Sequence, residues 1–293
     1  MKQLVTLSGK GGTGKTSVTA ALAHLAAQGA SIVVADADVD AANLELVLQP
    51  TPVEEHAFIS GSLAIVDASL CTACGRCAEV CRFEAVISDG DSYHVEPIAC
   101  EGCASCFHQC PAQAIRLQPR HSGQWYRSDT PYGPLFHARL FAGQENSGKL
   151  VTLVKQQARL LALDRRAHFL LVDGPPGIGC PVISATSGAD LALLVVEPTV
   201  SGIHDLQRIL DTTEHFQVQS VVLINKADLN AHRAQEIASF CAARGVSLVG
   251  HVPFDVVVTE AMVQGQPVTA HADGPVTVEL KRVWQKLRRR LTS

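Results

Sequence analysis

Eight of the ten cysteines in this 293-residue chain lie in two runs with identical spacing. In each run, two, two and three residues separate the successive cysteines. The runs are Cys71, Cys74, Cys77, Cys81 and Cys100, Cys103, Cys106, Cys110. This spacing is typical of thiolates that surround a cubane iron-sulfur cluster. Zinc is the alternative, because paired C-x-x-C segments also form zinc sites, but the third cysteine two residues further on favours a cubane.

The two runs resemble those of two-cluster ferredoxins, in which the fourth cysteine of each run binds the cluster of the other run. The resemblance implies two 4Fe-4S clusters. The ligands of the first would be Cys71, Cys74, Cys77 and Cys110, and those of the second Cys100, Cys103, Cys106 and Cys81. Pro111 follows the second run, whereas Arg82 stands where the family usually has a proline after the first. That proline shapes a turn and binds no iron, so the expected ligands are unchanged.

A glycine-rich loop follows the first apolar segment and precedes a segment of helical period, which is the context of a phosphate-binding P-loop. The loop residues expected to bind a nucleotide are Gly9, Lys10, Gly11, Gly12, Thr13, Gly14, Lys15, Thr16 and Ser17. Glycines allow backbone N–H groups to converge on phosphate oxygens at the start of a helix. Lys15 is expected to contact the β and γ phosphates, and Thr16 to bind Mg²⁺.

Lys10 gives the loop a second, early lysine. The loop therefore resembles the deviant Walker A motif of the ParA, MinD, Mrp and nitrogenase iron protein group. In that group this lysine crosses a dimer interface to the partner's nucleotide, as an arginine finger does. The resemblance implies ATP as the nucleotide and a dimer through the nucleotide face, formed with a second copy or with a related ATPase.

Two aspartate-containing segments match the same group. Asp36-Ala37-Asp38-Val39-Asp40 resembles switch I. The resemblance implies that Asp38 orients the attacking water, with Asp40 as the competitor for that role, and that Asp36 lies in the outer shell of Mg²⁺. Asp173-Gly174-Pro175-Pro176-Gly177 resembles Walker B leading into switch II. Asp173 would contact Mg²⁺ through water and Gly177 would offer its N–H to the γ phosphate. The expected catalytic residues are Lys10, Lys15, Asp38 and Asp173.

The base of the nucleotide is expected to lie near two further segments. Asn225-Lys226-Ala227-Asp228 and Pro253-Phe254-Asp255 each follow an apolar run and resemble the adenine-side segments of this group. Asn225 would bond the base edge, and Pro253 and Asp255 would flank the base. The first segment also fits the base-reading pattern of GTPases, which leaves GTP as a minor alternative.

Apolar runs and helical segments alternate along the chain. The runs cover residues 3–7, 31–35, 169–172, 191–196, 221–224 and 248–252, and helical periodicity covers 16–27, 150–163, 203–215 and 231–244. Continuous apolar runs indicate strands that are buried on both faces. The pattern predicts an α/β fold with a doubly wound, mostly parallel sheet.

The cysteine segment interrupts this alternation between residues 60 and 122. It predicts a small α+β bacterial-type ferredoxin domain closed by a strand pair, residues 64–67 and 114–117. A P-loop ATPase domain would then consist of residues 1–59 and 123–293. Nearly the whole chain resembles ATPases of the MinD superfamily that carry an inserted ferredoxin domain.

Charge and composition exclude some partners. The 24 basic and 28 acidic residues give a net charge of −4, so nucleic acid is not an expected partner. Neither a signal peptide nor a membrane-spanning run is expected, and thiolate ligands favour the reducing cytoplasm. A basic amphipathic segment, 276–293, is expected to pack on the sheet, with peripheral membrane contact as the less favoured alternative.

Two cysteines lie outside the runs. Cys180 lies seven residues after Asp173, as does a bridging cluster ligand in nitrogenase iron protein, and Cys241 is the second thiol that such a cluster would need. A packed, unligated thiol at Cys180 is the favoured expectation.

The leading functional hypothesis is an ATPase whose dimer switch is coupled to electron transfer through two 4Fe-4S clusters, with a protein redox partner. The first alternative is an ATPase that assembles or delivers clusters to an apo iron-sulfur acceptor protein. The second is a MinD-like positioning ATPase in which the clusters are structural.

Overall fold

The computed structural model describes residues 1–144 and 146–292. The strands are β1 (Lys2–Ser8), β2 (Ile32–Asp36), β3 (Thr51–Val66), β4 (Val86–Ser88), β5 (Tyr93–Val95), β6 (Ile115–Thr130), β7 (Gly133–Leu140), β8 (Phe169–Pro176), β9 (Leu191–Val196), β10 (Ser220–Asn225) and β11 (Ser247–Val252). The helices are α1 (Lys15–Ala27), α2 (Glu45–Leu48), α3 (Arg76–Glu79), α4 (Ser105–Gln109), α5 (Ser147–Asp164), α6 (Cys180–Thr186), α7 (Gly202–His215), α8 (Ala231–Ala243), α9 (Val257–Val263), α10 (Val268–His271) and α11 (Pro275–Thr292).

A nine-stranded sheet has the order β11-β10-β9-β1-β8-β2-β7-β6-β3. Neighbouring strands from β11 to β7 in this order are all parallel. β1 is central, and its Leu4 lies opposite Leu171 of β8 on one side and opposite Leu191 of β9 on the other. The predicted α/β fold with a large, mostly parallel sheet is therefore confirmed.

Helices cover both faces of the parallel strands, which explains why these strands are apolar throughout. One set of alternate residues, including Leu4, Val34 and Leu171, packs in a buried cluster with residues of α1 and α11. The intervening residues, such as Val5 and Leu170, are also buried, and α5 to α8 contact the strands as well. A strand enclosed in this way needs apolar side chains in both directions.

The C-terminal helix α11 packs its apolar stripe into the core. Val283, Trp284 and Leu287 are buried, and the Trp284 ring meets Phe169 of β8 edge to face with centroids 5.4 Å apart. This helix therefore packs on the sheet, as the sequence predicts. No helix in the described part of the chain combines the length and apolar character that crossing a bilayer requires.

The chain divides into two compact units. Unit 1 contains Met1–His56, Trp125–Arg139 and Ser147–Ser293, and unit 2 contains Ala57–Gln124 and Leu140–Asn146. The long strands β3 and β6 each contribute residues to both units.

Unit 2 contains the eight clustered cysteines. Its small core consists of Ala64, Cys77, Ala85, Cys100, Cys106 and Ile115. α3 and α4 are single turns, one in each cysteine run, and β4 pairs with β5 in antiparallel fashion between the runs. The strand pair that the sequence predicts at 64–67 and 114–117 occupies only one end of β3 and β6, each of which has 16 residues.

Candidate functional site

The P-loop connects the end of β1 to the first turn of α1. Gly12 and Gly14 have left-handed φ values of +79° and +84°, and α1 begins directly after Gly14 at Lys15. A Cβ at Gly14 would lie 2.3 Å from Nδ2 of Asn225, so only glycine fits there. This backbone turns successive N–H groups inward at a helix N-terminus, which is an anion-binding arrangement.

Lys15 lies in a buried group of opposite charges. Its Nζ is 3.4 Å from Asp38 Oδ2 and 3.6 Å from Asp173 Oδ1. Burial alone would lower the pKa of Lys15, but the carboxylates of Asp173, Asp38 and Asp36 outweigh burial and hold that pKa above its ordinary value. The lysine is therefore fully charged and available for phosphate.

Asp173 is fully buried at the carboxyl end of β8 and accepts two hydroxyl hydrogen bonds from α1. Thr16 Oγ1 donates to Asp173 Oδ2 at 2.7 Å, and Thr19 Oγ1 donates to Asp173 Oδ1 at 2.9 Å. The structure thus brings together Thr16, which is predicted to bind Mg²⁺, and Asp173, which is predicted to contact the ion through water. Hydroxyl and carboxylate oxygens are the ligand types that this hard cation requires.

Asp36 is also fully buried, and its side chain binds backbone N–H groups of the loop that resembles switch I. Its carboxylate accepts the N–H of Asp38 at 3.1 Å and that of Leu44 at 3.0 Å. Burial, followed by the nearby Asp173 carboxylate, raises the pKa of Asp36 to about 8, against the opposing effect of the two N–H groups. The charged form of Asp36 is therefore disfavoured relative to that of an exposed aspartate. Its predicted place in the outer shell of Mg²⁺ stays a prediction.

Asp38 faces the nucleotide pocket, whereas its neighbour Asp40 is exposed at the rim. Burial raises the pKa of Asp38, and the charge of Lys15 partly offsets that increase. Its position beside Lys15 is compatible with a role next to the γ phosphate.

A cavity of about 680 Å³ adjoins the P-loop and contains most of the predicted nucleotide contacts. Such a volume suits a ligand of nucleotide size. Gly11 to Ser17 line it, and so do Asn225, Pro253 and Asp255. The structure therefore brings the predicted phosphate and base segments to one cavity. The hydroxyl of Thr13 is buried in the loop with no hydrogen-bond partner among the described residues.

Three predicted residues have other contacts. Lys10 Nζ donates to Thr199 Oγ1 at 3.0 Å, in the loop after β9. Gly9 packs so closely against Asp205 of α7 that a Cβ would lie 2.6 Å from the Asp205 Cβ. Gly177, with φ +91°, donates its N–H to the carbonyl oxygen of Ser8 at 2.9 Å. A γ phosphate would have to replace that last bond.

Two polar contacts were not predicted from the sequence. Thr19 lies one helical turn after Lys15, and this spacing is the only sequence signal for its bond to Asp173. Glu197 follows β9 and pairs with both Lys10 and Lys226. Acidic residues at the carboxyl end of a parallel strand are candidates for a site there, which is a signal that could have identified Glu197.

The eight clustered cysteines line two small cavities within unit 2. The first is lined by Cys71, Cys74, Cys77 and Cys110, and the second by Cys81, Cys100, Cys103 and Cys106. Each set thus has three thiols from one run and the fourth thiol of the other. Among the described residues, no three His, Cys, Asp or Glu side chains converge closely enough for a single metal ion. A cubane needs a wider arrangement, because each thiolate binds a different iron.

The backbone around the two cavities repeats the same conformation. Ala73 and Gly75, which flank Cys74, have left-handed φ values of +52° and +79°. Gly102 and Ala104, which flank Cys103, have values of +65° and +63°. Left-handed residues next to right-handed ones turn N–H groups toward an anionic group, as occurs at many iron-sulfur sites. The N–H of Ala114 also donates to Cys110 Sγ at 3.3 Å. The thiols and their surroundings therefore fit cubane clusters.

The two remaining cysteines differ in exposure. Cys180 is the first residue of α6 and is exposed, so the expectation of a packed thiol there is wrong. It fails because residue 180 begins a helix at the surface instead of lying within an apolar stripe. Cys241 is buried in α8, and desolvation raises its pKa to about 11. A buried neutral thiol of this kind is a packing residue.

Comparisons with known proteins also indicate a nucleotide-binding site. A sequence profile of the CobQ/CobB/MinD/ParA nucleotide binding domain matches residues 4–268. An uncharacterized protein of Methanocaldococcus jannaschii is 32% identical over 286 residues, which cover 98% of this chain and 96% of that protein. An uncharacterized ATP-binding protein of the same organism is 25% identical, with 96% of this chain and 85% of that protein covered.

The fold also matches solved structures. The septum site-determining protein MinD of Pyrococcus horikoshii, complexed with Mg-ADP, superposes with a TM-score of 0.61 at 18% identity, and covers 98% of this chain and 96% of its own. At this identity the likeness concerns the fold alone. The profile match over most of the chain, together with the P-loop geometry, shows that the chain belongs to the CobQ/CobB/MinD/ParA nucleotide-binding domain family.

Proposed function

We propose that this ATPase carries two 4Fe-4S clusters and couples an ATP-driven dimer switch to electron transfer through them. The observation that carries the proposal is the pair of cysteine cavities, each lined by one expected ligand set. When bound, such clusters supply one-electron chemistry, and the protein supplies ligands and tuning. Residues 60–122 are the proposed ferredoxin domain, and residues 1–59 and 123–293 the proposed ATPase domain.

ATP and Mg²⁺ are the proposed ligands of the P-loop cavity. The relative that is named ATP-binding and the Mg-ADP complex of the P. horikoshii protein support this choice. Lys15 would contact the phosphates, Thr16 would bind Mg²⁺, and Asp173 and Asp36 would contact the ion through water. Asp38 would orient the attacking water. Two subunits would face each other across their nucleotides, with Lys10 of each reaching the nucleotide of the other.

A chain of contacts leads from switch I to the strand that precedes the second part of unit 2. Asp36 binds the N–H of Leu44, and Glu45 is the first residue of α2. Glu45 Oε2 lies 3.0 Å from His137 Nδ1, and its other oxygen pairs with Arg139. Both partners are on β7, which ends at Leu140, where the second part of unit 2 begins. Movement of the switch I loop would therefore reach β7, which supports the proposed coupling.

The second candidate is cluster delivery to an apo iron-sulfur protein, with ATP controlling release. Cys74 and Cys103 are exposed, one in each expected ligand set. An acceptor thiol could attack the iron at such a position, which favours this candidate over purely structural clusters. A transfer assay with an apo acceptor distinguishes it: clusters that stay bound during ATP turnover contradict delivery.

Anaerobic purification followed by rapid reduction tests the main proposal. The full chain should contain about eight irons, and the rate of cluster reduction by dithionite should differ between Mg-ATP, Mg-ADP and no nucleotide. Lys15→Ala is the control, because it should keep the iron and lose the nucleotide dependence. An iron content far below eight contradicts the clusters. Identical rates in the three states contradict the coupling.

A further inference from the structure

The two cysteine runs lie in two repeats of equal length within unit 2. Residues 64–86 and 93–115 align without a gap, so that the four cysteines of one run correspond to the four of the other. Equivalent residues also share backbone conformation, because φ is +52° at Glu84 and +51° at Gln113, its equivalent. The two cluster sites are therefore built on one backbone pattern, and the differences between them come from side chains.

Equivalent positions of the repeats line the two cysteine cavities. Each cavity takes residues from both repeats, and almost every residue that lines the first has its equivalent in the lining of the second. The pairs that differ in polarity, with the first-cavity residue named first, are Thr72 and Glu101, Arg76 and Ser105, and Tyr93 and Ala64. Identical ligand sets thus meet different polar neighbours in the two sites.

Charges of opposite sign line the two cavities. Arg76 lines the first cavity, and its equivalent in the second is the neutral Ser105. Glu101 lines the second cavity, and its equivalent in the first is the neutral Thr72. Reduction adds an electron to a cluster and makes it more negative, so that a nearby cation favours reduction and a nearby anion opposes it. The lining charges therefore favour reduction in the first cavity.

Hydroxyl groups lie near both sites. Ser105 Oγ is 3.4 Å from Cys103 Sγ in the second cavity. In the first cavity, the hydroxyl of Tyr93 is 3.2 Å from the position that a Cβ on Gly75 would occupy. An O–H group that donates to sulfur stabilises the reduced, more negative cluster. Because each cavity offers such a donor, the hydroxyls distinguish the two sites less than the charges do.

Two further charges act in the opposite direction. Glu79 pairs with Arg76 at 2.7 Å in an exposed position. The Ser105 hydroxyl and, to a smaller extent, the charge of Arg82 lower the pKa of the Cys103 thiol. Neither Glu79 nor Arg82 is among the described residues that line the two cavities. Since the energy between charges falls with distance, the lining charges decide the sign of the difference.

We propose that the two clusters are inequivalent: Arg76 raises the reduction potential of the cluster in the first cavity, and Glu101 lowers that of the cluster in the second. This inference rests on the proposed clusters. An electron supplied by a one-electron reductant then resides on the first cluster at equilibrium, and electrons pass from the second cluster to the first. Arg76 and Glu101 bind no iron and act on the clusters only through their charge.

A redox titration of the anaerobically purified full chain, followed by electron paramagnetic resonance, measures the two potentials. The wild type should show two one-electron steps separated by at least about 59 mV, which corresponds to a tenfold equilibrium constant for transfer between the clusters. The test variants exchange each residue for its equivalent. Glu101→Thr should raise the lower step alone, and Arg76→Ser should lower the upper step alone, each by about three- to tenfold in that constant.

Both variants should keep the wild-type iron content, because Thr and Ser already occupy the equivalent positions in the same backbone. Glu84→Gln is the matched control. It removes one negative charge, as Glu101→Thr does, but at an exposed residue that is not among the described lining residues, and its equivalent is already Gln113. It should leave both steps unchanged.

The reverse pattern, in which Glu101→Thr raises the upper step or Arg76→Ser lowers the lower one, would overturn the assigned order. Steps that coincide in the wild type, or that move in neither variant, would also overturn the proposal while leaving the clusters in place. A wild-type protein that binds no iron overturns the proposed clusters themselves, which is a distinct result.

Discussion

Lys10 Nζ donates a hydrogen bond to Thr199 Oγ1 of its own chain, 3.0 Å away. The Glu197 carboxylate lies 3.7 Å from the same nitrogen and also pairs with Lys226. The lysine that is proposed to act across the dimer therefore makes its contacts within its own subunit. In the proposed dimer, contacts to the partner's phosphates would replace these contacts.

We expect Lys10→Ala to retain Mg-ATP binding within a few fold but to lose ATP-induced dimerisation. The reason is that, in the proposed arrangement, Lys15 and the loop N–H groups would bind the phosphates in cis, whereas Lys10 would act only in trans. Light scattering with and without Mg-ATP measures the dimer. Lys2→Ala, which changes an exposed pair with Asp190, is the control. A normal ATP-dependent dimer in Lys10→Ala would contradict the trans role.

Asp38→Ala should bind ATP and dimerise but hydrolyse ATP at least about 100-fold more slowly, the range found when a group that assists proton transfer is removed. Phosphate release under single-turnover conditions gives the rate. Asp40→Ala is the matched control, because Asp40 is exposed at the same loop. Continued hydrolysis in Asp38→Ala, together with a loss in Asp40→Ala, would transfer the role to Asp40.

The raised pKa of Asp36 predicts a pH-dependent stability of the nucleotide-free protein. The folded state holds this proton up to about pH 8, whereas an unfolded aspartate loses it near 3.8. The stability that the protonated group contributes is fully present below the unfolded value and is lost as pH rises toward 8. Urea unfolding between pH 5 and 8 should show a free energy that falls by up to about 1.4 kcal/mol per pH unit relative to Asp36→Asn. Parallel profiles for the two proteins would contradict this assignment.

Glu45→Ala should weaken the response of cluster reduction to nucleotide while ATP hydrolysis persists. Glu45 joins α2 to His137 and Arg139 of β7, and a contact along such a route modulates coupling by about 0.5–2 kcal/mol. Reduction rates with Mg-ATP and Mg-ADP are compared in both proteins. Leu46→Ala is the control, because Leu46 is exposed on the same helix. An unchanged ATP-to-ADP ratio in Glu45→Ala would exclude this route.

Trp284→Ala should destabilise unit 1 by about 3–5 kcal/mol, because it removes a buried ring that packs on Phe169. Val278→Ala on the same helix should change stability by less than about 0.5 kcal/mol, since Val278 is exposed. Urea unfolding followed by circular dichroism measures both. Equal effects of the two substitutions would mean that α11 is not held by its apolar stripe.

The central strands and the nucleotide cavity could be predicted because their signals are local. Runs such as Leu191–Val196 are apolar without interruption, and the P-loop glycines occur at fixed spacing. β3 and β6 could not be predicted at their full length. Their polar and apolar residues follow no clean alternation, and half of each strand lies in a stretch with no apolar run. What extends them is pairing with a strand distant in sequence, which local propensity does not encode.

Within the site, the sequence identified residue types but not their partners. Asp173 and Thr16 were predicted to share Mg²⁺, and the structure joins them by a hydrogen bond. The bonds of Thr19 and Glu197 depend on distances across the fold.

The position of β1 between β8 and β9 has a consequence for biosynthesis. The ribosome completes every residue of unit 2, up to Asn146, before it reaches Phe169, where β8 begins. During translation, β1 is therefore synthesised long before β8 and β9, and the backbone groups of both its edges stay unpaired in that interval. Unpaired strand edges favour chaperone binding or aggregation. The eight clustered cysteines are synthesised before β8, and the nucleotide site can form only late in translation.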